Sequence, residues 1–180
     1  MKPIRVARRY SAPPDRVFGA WLDRETAGSW LFATALHPMA HVAIDARVAG
    51  SFCFVDGQDT EYSGEYLQII RPRRLAFTLL VGGEPGIVTR VAIEIVALKR
   101  GSELRLVHED VPADRAARTE ARWTGILYGL GVALDNPVRR QRKGPIRAMR
   151  GARGMRAGLS ISRSAERPLV QEPTQSTEWR

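Results

Sequence analysis

Residues 113–134 read ADRAARTEARWTGILYGLGVAL and space their apolar side chains with the period of a helix. The side chains at i, i+7, i+11, i+14 and i+18 belong to Ala116, Trp123, Leu127, Leu130 and Leu134. This stripe predicts a long amphipathic helix. Its apolar side must pack against another layer of the protein.

The chain before this helix has the period of β-strands. Val42 and Ile44, then Phe52 and Phe54, alternate with polar or small residues on either side of the turn RVAG and predict a hairpin. Strand signals continue through EYSGEYLQII, LAFTLLV, GIVTRVAIEIVAL and ELRLVHE, separated by the turn sequences RPRR, GGEPG and KRGS. About six consecutive antiparallel strands are therefore expected.

The first thirty residues predict a strand followed by two short helices. The strand is expected from Ile4 to Tyr10, and the stretch SAPPDRVFGAWLD then favours a helix from about Pro13 to Leu22, with Ser11 as a candidate cap. Asp23 can cap a second helix, DRETAGSW.

An antiparallel sheet with one apolar face needs a cover, and the stripe of the long helix can supply it. The expected fold class is therefore α+β, with a curved antiparallel sheet wrapped around the C-terminal helix and two short helices after the first strand. Phe18 and Trp21 of the opening helix are expected to seal the space between the sheet and the long helix.

The positive charge of the chain is concentrated near its C-terminus. The net charge is +9 over 180 residues, but residues 1–134 hold 17 Lys and Arg against 15 Asp and Glu, and residues 135–180 hold 11 against 4. We expect one domain over 1–136, with Pro137 ending the helix, and a basic extension over 137–180 that is disordered or of non-functional origin, such as a shifted reading frame. A basic arm that makes weak contact with nucleic acid or an anionic surface is the alternative.

Other features favour a cytoplasmic protein. Cys53 is the single cysteine, so the chain cannot form an internal disulfide. The pattern of a disulfide-rich secreted domain is therefore absent from the sequence. The start MKPIRVARRY lacks the apolar segment of a signal peptide. The longest apolar run, residues 125–134, is about half of the roughly 20 residues that a membrane span needs.

No catalytic motif is evident. The sequence contains no P-loop, no G-x-S-x-G, no H-E-x-x-H and no paired cysteines. His37 and His41 have a spacing that suits a metal on a helix, but Pro38 between them argues against that helix, and no metal or cofactor is predicted. His108 alternates with Leu104 and Leu106 and should face inward; a hydrogen-bonded core histidine is favoured over an acid-base role.

Four stretches in order, YSAPPDRVFGAWLDRETAGSW, GEYLQIIRPRRLAFT, VAIEIVALKRGSELRLVHE and WTGIL, resemble the activator-of-Hsp90-ATPase-homologue family of the START-like superfamily. The resemblance covers about residues 3–134 and implies a helix-grip fold with a largely apolar internal cavity. Two departures stand out: Ala49-Gly50 replaces the usual double glycine of a hairpin turn, which is tolerable if only Gly50 needs positive φ, and Arg122 precedes the helix tryptophan in place of a common glycine.

The cavity that the resemblance implies would be lined by apolar and aromatic side chains of the sheet and helices, with His108 among them. The candidates are Trp21, Trp30, Phe52, Phe54, Tyr66, Phe77, Val91, Ile93, His108, Trp123 and Leu127. Aromatic residues on an apolar face are also typical of a plain hydrophobic core, and the sequence leaves both interpretations open.

Three classes of function remain. The first, which the absence of catalytic motifs favours, is a protein that binds a small apolar or amphipathic molecule. The second is an enzyme similar to the polyketide cyclases of the superfamily, with His108 moving a proton. The third is a co-chaperone of Hsp90, which is weakened because the resemblance includes no counterpart of the separate N-terminal region of the eukaryotic activators. A monomer and a homodimer are both compatible with the sequence.

Overall fold

The computed structural model describes residues 3–33, 38–82 and 87–136. These residues form seven strands, three α-helices and one 3₁₀ turn. In chain order the elements are β1 (Ile4–Tyr10), α1 (Pro14–Leu22), α2 (Arg24–Gly28), β2 (Met39–Ile44), β3 (Ser51–Asp56), β4 (Glu61–Ile70), β5 (Arg74–Val81), β6 (Thr89–Ala97), β7 (Ser102–Glu109), the turn Ala113–Arg115 and α3 (Ala116–Asp135). The predicted order of elements is confirmed.

The seven strands form one antiparallel sheet in the order β1-β7-β6-β5-β4-β3-β2. Strands β2 to β7 are joined as successive neighbours, and β1 pairs with β7 at the far edge. In the predicted hairpin, Val42 lies opposite Phe54 and Ile44 opposite Phe52. This register keeps the large side chains of β3 on the face that α3 covers.

The apolar stripe of α3 is buried against the inner face of the sheet. Its buried residues are Ala116, Trp123, Ile126, Leu127, Leu130 and Leu134. Strands β5, β6 and β7 contribute the facing layer, including Leu75, Val91 and Leu104. The predicted α+β helix-grip architecture is therefore confirmed, and α3 ends at Asp135 with Asn136 as its C-cap residue.

The predicted cap of α1 is wrong, whereas that of α2 is confirmed. Helix α1 has Pro13 at the N-cap position and no side-chain cap, so Ser11 does not serve there. Pro14, the first helical residue, has no N–H to satisfy, which reduces the need for a cap. At α2, a carboxylate oxygen of Asp23 accepts from the backbone N–H of Thr26 at 2.9 Å.

The hairpin turn between β2 and β3 differs from the expectation about its glycine. Ala49 has φ of +60°, whereas Gly50 is not among the described residues with positive φ. A Cβ on Gly50 would lie 2.2 Å from the carbonyl oxygen of Asp45. Gly50 is therefore required for a close backbone approach, and Ala49 bears the left-handed conformation that a glycine would adopt more easily.

Within the described part of the chain, every helix is too short or too polar to cross a bilayer. The predicted extension 137–180 lies outside the described residues, as does His37.

Candidate functional site

A cavity of about 240 Å³ lies between α3 and the β4–β7 part of the sheet. Its apolar wall includes Phe32, Leu79, Val81, Ile87, Trp123 and Ile126. Its polar lining includes Tyr62, Thr89, His108, Arg115, Arg118 and Arg122. The apolar and cationic lining therefore meet in one space.

Three residues of the cavity lining, Trp123, His108 and Thr89, form one chain of hydrogen bonds. The indole N–H of Trp123 donates to Nδ1 of His108 at 2.9 Å, and Nε2 of His108 lies 2.8 Å from the hydroxyl of Thr89. The Thr89 hydroxyl donates to the carbonyl oxygen of Leu79 at 3.0 Å. Because an indole only donates, Nδ1 must accept and the proton of neutral His108 sits on Nε2.

This environment holds His108 in its neutral form. Burial lowers the pKa of the imidazole to about 4, and the negative charge of Asp110 offsets only part of that effect. Both ring nitrogens are engaged by protein groups on β6 and α3. The arrangement is that of the hydrogen-bonded core histidine that the sequence favoured, and it ties the tryptophan of α3 to the sheet.

Tyr62 forms a second polar point on the cavity wall. Its ring stacks on Phe32 with the centroids 4.6 Å apart, and its hydroxyl accepts a hydrogen bond from the Arg122 guanidinium. The same guanidinium lies 4.9 Å from the centre of the Tyr62 ring, while the hydroxyl is 3.5 Å from a carboxylate oxygen of Asp56. Arg122 is thus held over the cavity by an aromatic face and a phenol.

Phe32 separates this cavity from a much smaller void deeper in the core. It lines both spaces, and its backbone has φ of +61°, which is uncommon for an aromatic residue. The deeper void measures about 10 Å³, which is at most about the room one water needs.

Most of the aromatic candidates surround that small void. Its lining includes Trp21, Phe52, Phe54, Tyr66 and Phe77. Trp21 lies 6.3 Å from Phe77 of β5 and 6.5 Å from Trp123 of α3, between centroids, so it fills the space between sheet and helix. Its indole N–H is buried without a hydrogen-bond partner in the described part of the chain. These side chains are packed on one another.

The remaining candidates are divided between the core and the site. His108 and Trp123 line the 240 Å³ cavity. Trp30, Val91, Ile93 and Leu127 are buried but are not among the residues that line it. Trp30 instead donates to the carbonyl oxygen of Ala20 at 3.2 Å.

A larger depression, of about 560 Å³, lies on the sheet face that α3 does not cover. It is lined largely by side chains that alternate with the core-facing ones, including Ala76, Ala92 and Val107. Three of its arginines form ion pairs: Arg74 with Glu94 at 3.6 Å, Arg90 with Glu109 at 3.6 Å and Arg105 with Glu103 at 2.8 Å. These pairs are typical of a solvated surface, and the 240 Å³ cavity beneath α3 is the better candidate site.

The described residues contain no group of three metal-ligating side chains. His41 is exposed on β2, and Cys53 is half-buried on the sheet face opposite Phe52 and Phe54. Burial and the charge of Glu61 raise the pKa of the Cys53 thiol, which disfavours the reactive thiolate.

Phe32, Tyr62, Thr89 and the three arginines were not predicted to line the site, although Arg122 was noted as a departure from the family pattern. The arginines carry the clearest unused signal, because Arg115, Arg118 and Arg122 are spaced by three and four residues and share one side of the helix. Tyr62 and Arg122 are 60 residues apart, so only the fold brings them together.

The curved antiparallel sheet and the long C-terminal helix define a helix-grip fold of the START-like type. The profile of the family described as Activator of Hsp90 ATPase homolog 1-like protein matches residues 11–135, and the chain therefore belongs to that family. A comparison with curated proteins gives no match.

Solved structures agree with this assignment. A protein from Chromobacterium violaceum is 27% identical with a TM-score of 0.65, over 74% of this chain and 96% of its own. CalU16 from Micromonospora echinospora is 24% identical with a TM-score of 0.59, over 73% of this chain and 75% of its own. The latter likeness shows the fold alone.

Two further structures share the fold at lower identity. DynU16, from the dynemicin biosynthetic locus, is 19% identical with a TM-score of 0.64; the match covers 75% of this chain and 48% of DynU16, about half its length. The Aha1 dimer from Colwellia psychrerythraea is 15% identical with a TM-score of 0.63, over 74% of this chain and 96% of its own.

Proposed function

We propose that this protein binds a small apolar or amphipathic molecule in the cavity between α3 and the sheet. The observation that carries the proposal is the partly open cavity of about 240 Å³ with Phe32, Leu79 and Ile126 in its wall. Ligand sites are typically concave and mostly apolar, with a few polar groups that fix orientation. The volume lies just below the usual range of about 300–1,000 Å³, so the ligand is small.

The hydrogen bonds favour binding over acid-base catalysis by His108. A general base needs a free nitrogen within reach of the proton that it removes, but both nitrogens of His108 are engaged by Trp123 and Thr89. The cytoplasm as the place of action and either a monomer or a homodimer as the assembly remain predictions from the sequence.

An enzyme that uses the same cavity is the second candidate. Its support is the fold shared with DynU16, from the dynemicin biosynthetic locus, and the hydroxyl of Tyr62 held by Arg122 in the cavity wall. Native mass spectrometry of protein purified from its own host distinguishes the two candidates. The molecule that is retained is identified and incubated with fresh protein. Recovery of the same molecule supports a binder, whereas recovery of a chemically altered molecule supports an enzyme.

The binding proposal is tested with an uncharged, environment-sensitive naphthalene dye such as prodan. We expect saturable fluorescence enhancement with one site per chain and a dissociation constant on the order of micromolar. Val81→Phe should abolish the enhancement, because the larger side chain occupies the cavity that Val81 lines. Thermal melting of the same variant checks that it remains folded.

Val55→Phe is the matched control, because Val55 is also a half-buried strand valine but is not among the residues that line the cavity. It should bind the dye as the wild type does. Wild-type protein that binds no apolar probe, or a Val81→Phe variant that binds as well as wild type, would contradict the proposal.

A further inference from the structure

Three arginines lie where the cavity meets solvent. Arg115, Arg118 and Arg122 line the cavity, and they follow one side of the 3₁₀ turn and α3. Arg118 and Arg122 are exposed and Arg115 is half-buried, whereas Trp123 and Ile126, farther along the same lining, are buried. The cavity therefore has an apolar interior and a cationic mouth.

The charges of Arg118 and Arg122 are not neutralised by the described part of the cavity lining. Among the described residues, no carboxylate lines the cavity. Arg118 takes part in none of the ion pairs formed within the described ranges, which instead engage Arg9 and arginines of the outer sheet face and the β2–β3 turn. Arg122 also forms none of these ion pairs; it contacts the ring and the hydroxyl of Tyr62, and that hydroxyl lies 3.5 Å from a carboxylate oxygen of Asp56.

We propose that the ligand of this cavity carries an anionic head group, a carboxylate or a phosphate, which Arg118 and Arg122 bind. Its apolar part would lie against Phe32, Leu79 and Ile126. Guanidinium groups bind carboxylates and phosphates through paired, charge-assisted hydrogen bonds, which are stronger than neutral ones. The inference rests on the proposed function and specifies the chemical class of the ligand.

Tyr62 gives this head-group site its orientation. The ring of Tyr62 stacks on Phe32 in the cavity wall, and its hydroxyl accepts from Arg122. The guanidinium of Arg122 is thereby restrained beside the apolar wall, so less conformational entropy is lost when an anion binds. Arg118, one helical turn earlier, supplies a second cation on the same side.

The test compares four small probes by titration calorimetry on the full chain: octanoate, octyl phosphate, 1-octanol and octylammonium. We expect each anion to bind at least about tenfold more tightly than 1-octanol, since a charge-assisted hydrogen bond contributes roughly a factor of ten or more. Octylammonium should bind more weakly than 1-octanol. The anion preference should shrink as salt rises, because the arginines are exposed.

In the double variant R118Q/R122Q, octanoate should bind no more tightly than 1-octanol does to the same variant. The matched control R24Q/R73Q removes the same net charge from exposed positions that do not line the cavity and should keep the preference. R118Q alone, which leaves the Tyr62 contact in place, should lose part of the preference even if the double variant is destabilised.

The outcomes separate this inference from the function on which it rests. Equal binding of octanoate and 1-octanol, with no effect of the arginine variants, overturns the head-group assignment and leaves the apolar cavity intact. Inorganic phosphate binding as tightly as octyl phosphate also overturns it, because the apolar part would then contribute nothing. Failure of all four probes and of prodan overturns the proposed function itself.

Discussion

His108 shows how far a single residue could be interpreted from the sequence. Alternation along β7 correctly predicted that it faces inward and is hydrogen-bonded. Its partners could not be predicted, because Thr89 is contributed by another strand and Trp123 by α3. The partners engage both ring nitrogens and burial lowers the pKa, which agrees with the core histidine that the sequence favoured over an acid-base role.

His108 should make the stability of the protein depend on pH. Its pKa is about 4 in the folded protein, below the ordinary value of 6.5, so the unfolded chain binds a proton more readily. The stability that neutral His108 contributes is fully present above about pH 6.5 and is lost as the pH falls toward 4. At about 1.4 kcal/mol per pKa unit, the free energy of unfolding should drop by roughly 3 kcal/mol over this range.

Urea melts between pH 7 and 4 measure this effect. H108Q should lack this part of the pH dependence, although it is less stable than wild type at pH 7. H41Q, which removes an exposed histidine, should retain it, and carboxylates such as Glu103 titrate in all three proteins. Parallel curves for wild type and H108Q would mean that His108 is not held neutral by the fold.

Ala49 marks the opposite case, in which the sequence indicated the wrong residue. A turn with one glycine suggests that the glycine takes the positive φ, but Ala49 takes it and Gly50 provides space beside Asp45. The two demands, a left-handed backbone and a missing Cβ, are met by adjacent residues. Only the path of the backbone shows which residue meets which demand.

At the scale of elements, the periodicity of the sequence was sufficient to predict the strands and the long helix. The strands and α3 were predictable because each has one buried and one exposed side. Apolar residues therefore recur about every 2 residues in the strands and every 3.6 residues in the helix. The turn of residues 113–115 was expected to be part of the helix but forms a separate 3₁₀ turn. Arg118 and Arg122 of α3 were not predicted to line the cavity, because they lie beside the apolar stripe, where charged residues are usual.

Trp123 joins the main elements, and its removal should be costly. It is buried on α3, contacts Trp21 and Phe32, and donates to His108. Trp123→Ala should lower the free energy of unfolding by about 3–5 kcal/mol in denaturant melts. Tyr128→Ala on the same helix should cost less than about 1 kcal/mol, because Tyr128 is 61% exposed and its ring makes a surface contact with the Arg8 guanidinium, 5.1 Å from the ring centre. Equal losses would show that the apolar stripe of α3 does not face the sheet.

At the scale of the whole molecule, the fold could be predicted more completely than the cavity. The candidates Trp21, Phe52 and Phe77 face the interior as expected, but they fill it, and the space left open lies beside residues such as Thr89 and Tyr62. An empty volume is the difference between what the backbone encloses and what side chains occupy. The sequence pattern predicts only on which face of a strand or helix a side chain lies.

The described fold is expected to be stable without residues 138–180. The family match ends at residue 135, α3 ends at Asp135, and the sequence that follows has no periodic apolar face to bury. Removing residues 138–180 should leave the melting temperature nearly unchanged in calorimetry. Ending the chain at Gly131 instead should lower it by several degrees, because that removes buried Leu134, whose carbonyl accepts from Arg16. If the shorter deletion already abolished the cooperative transition, residues beyond 137 would belong to the folded domain and the boundary drawn from the sequence would be wrong.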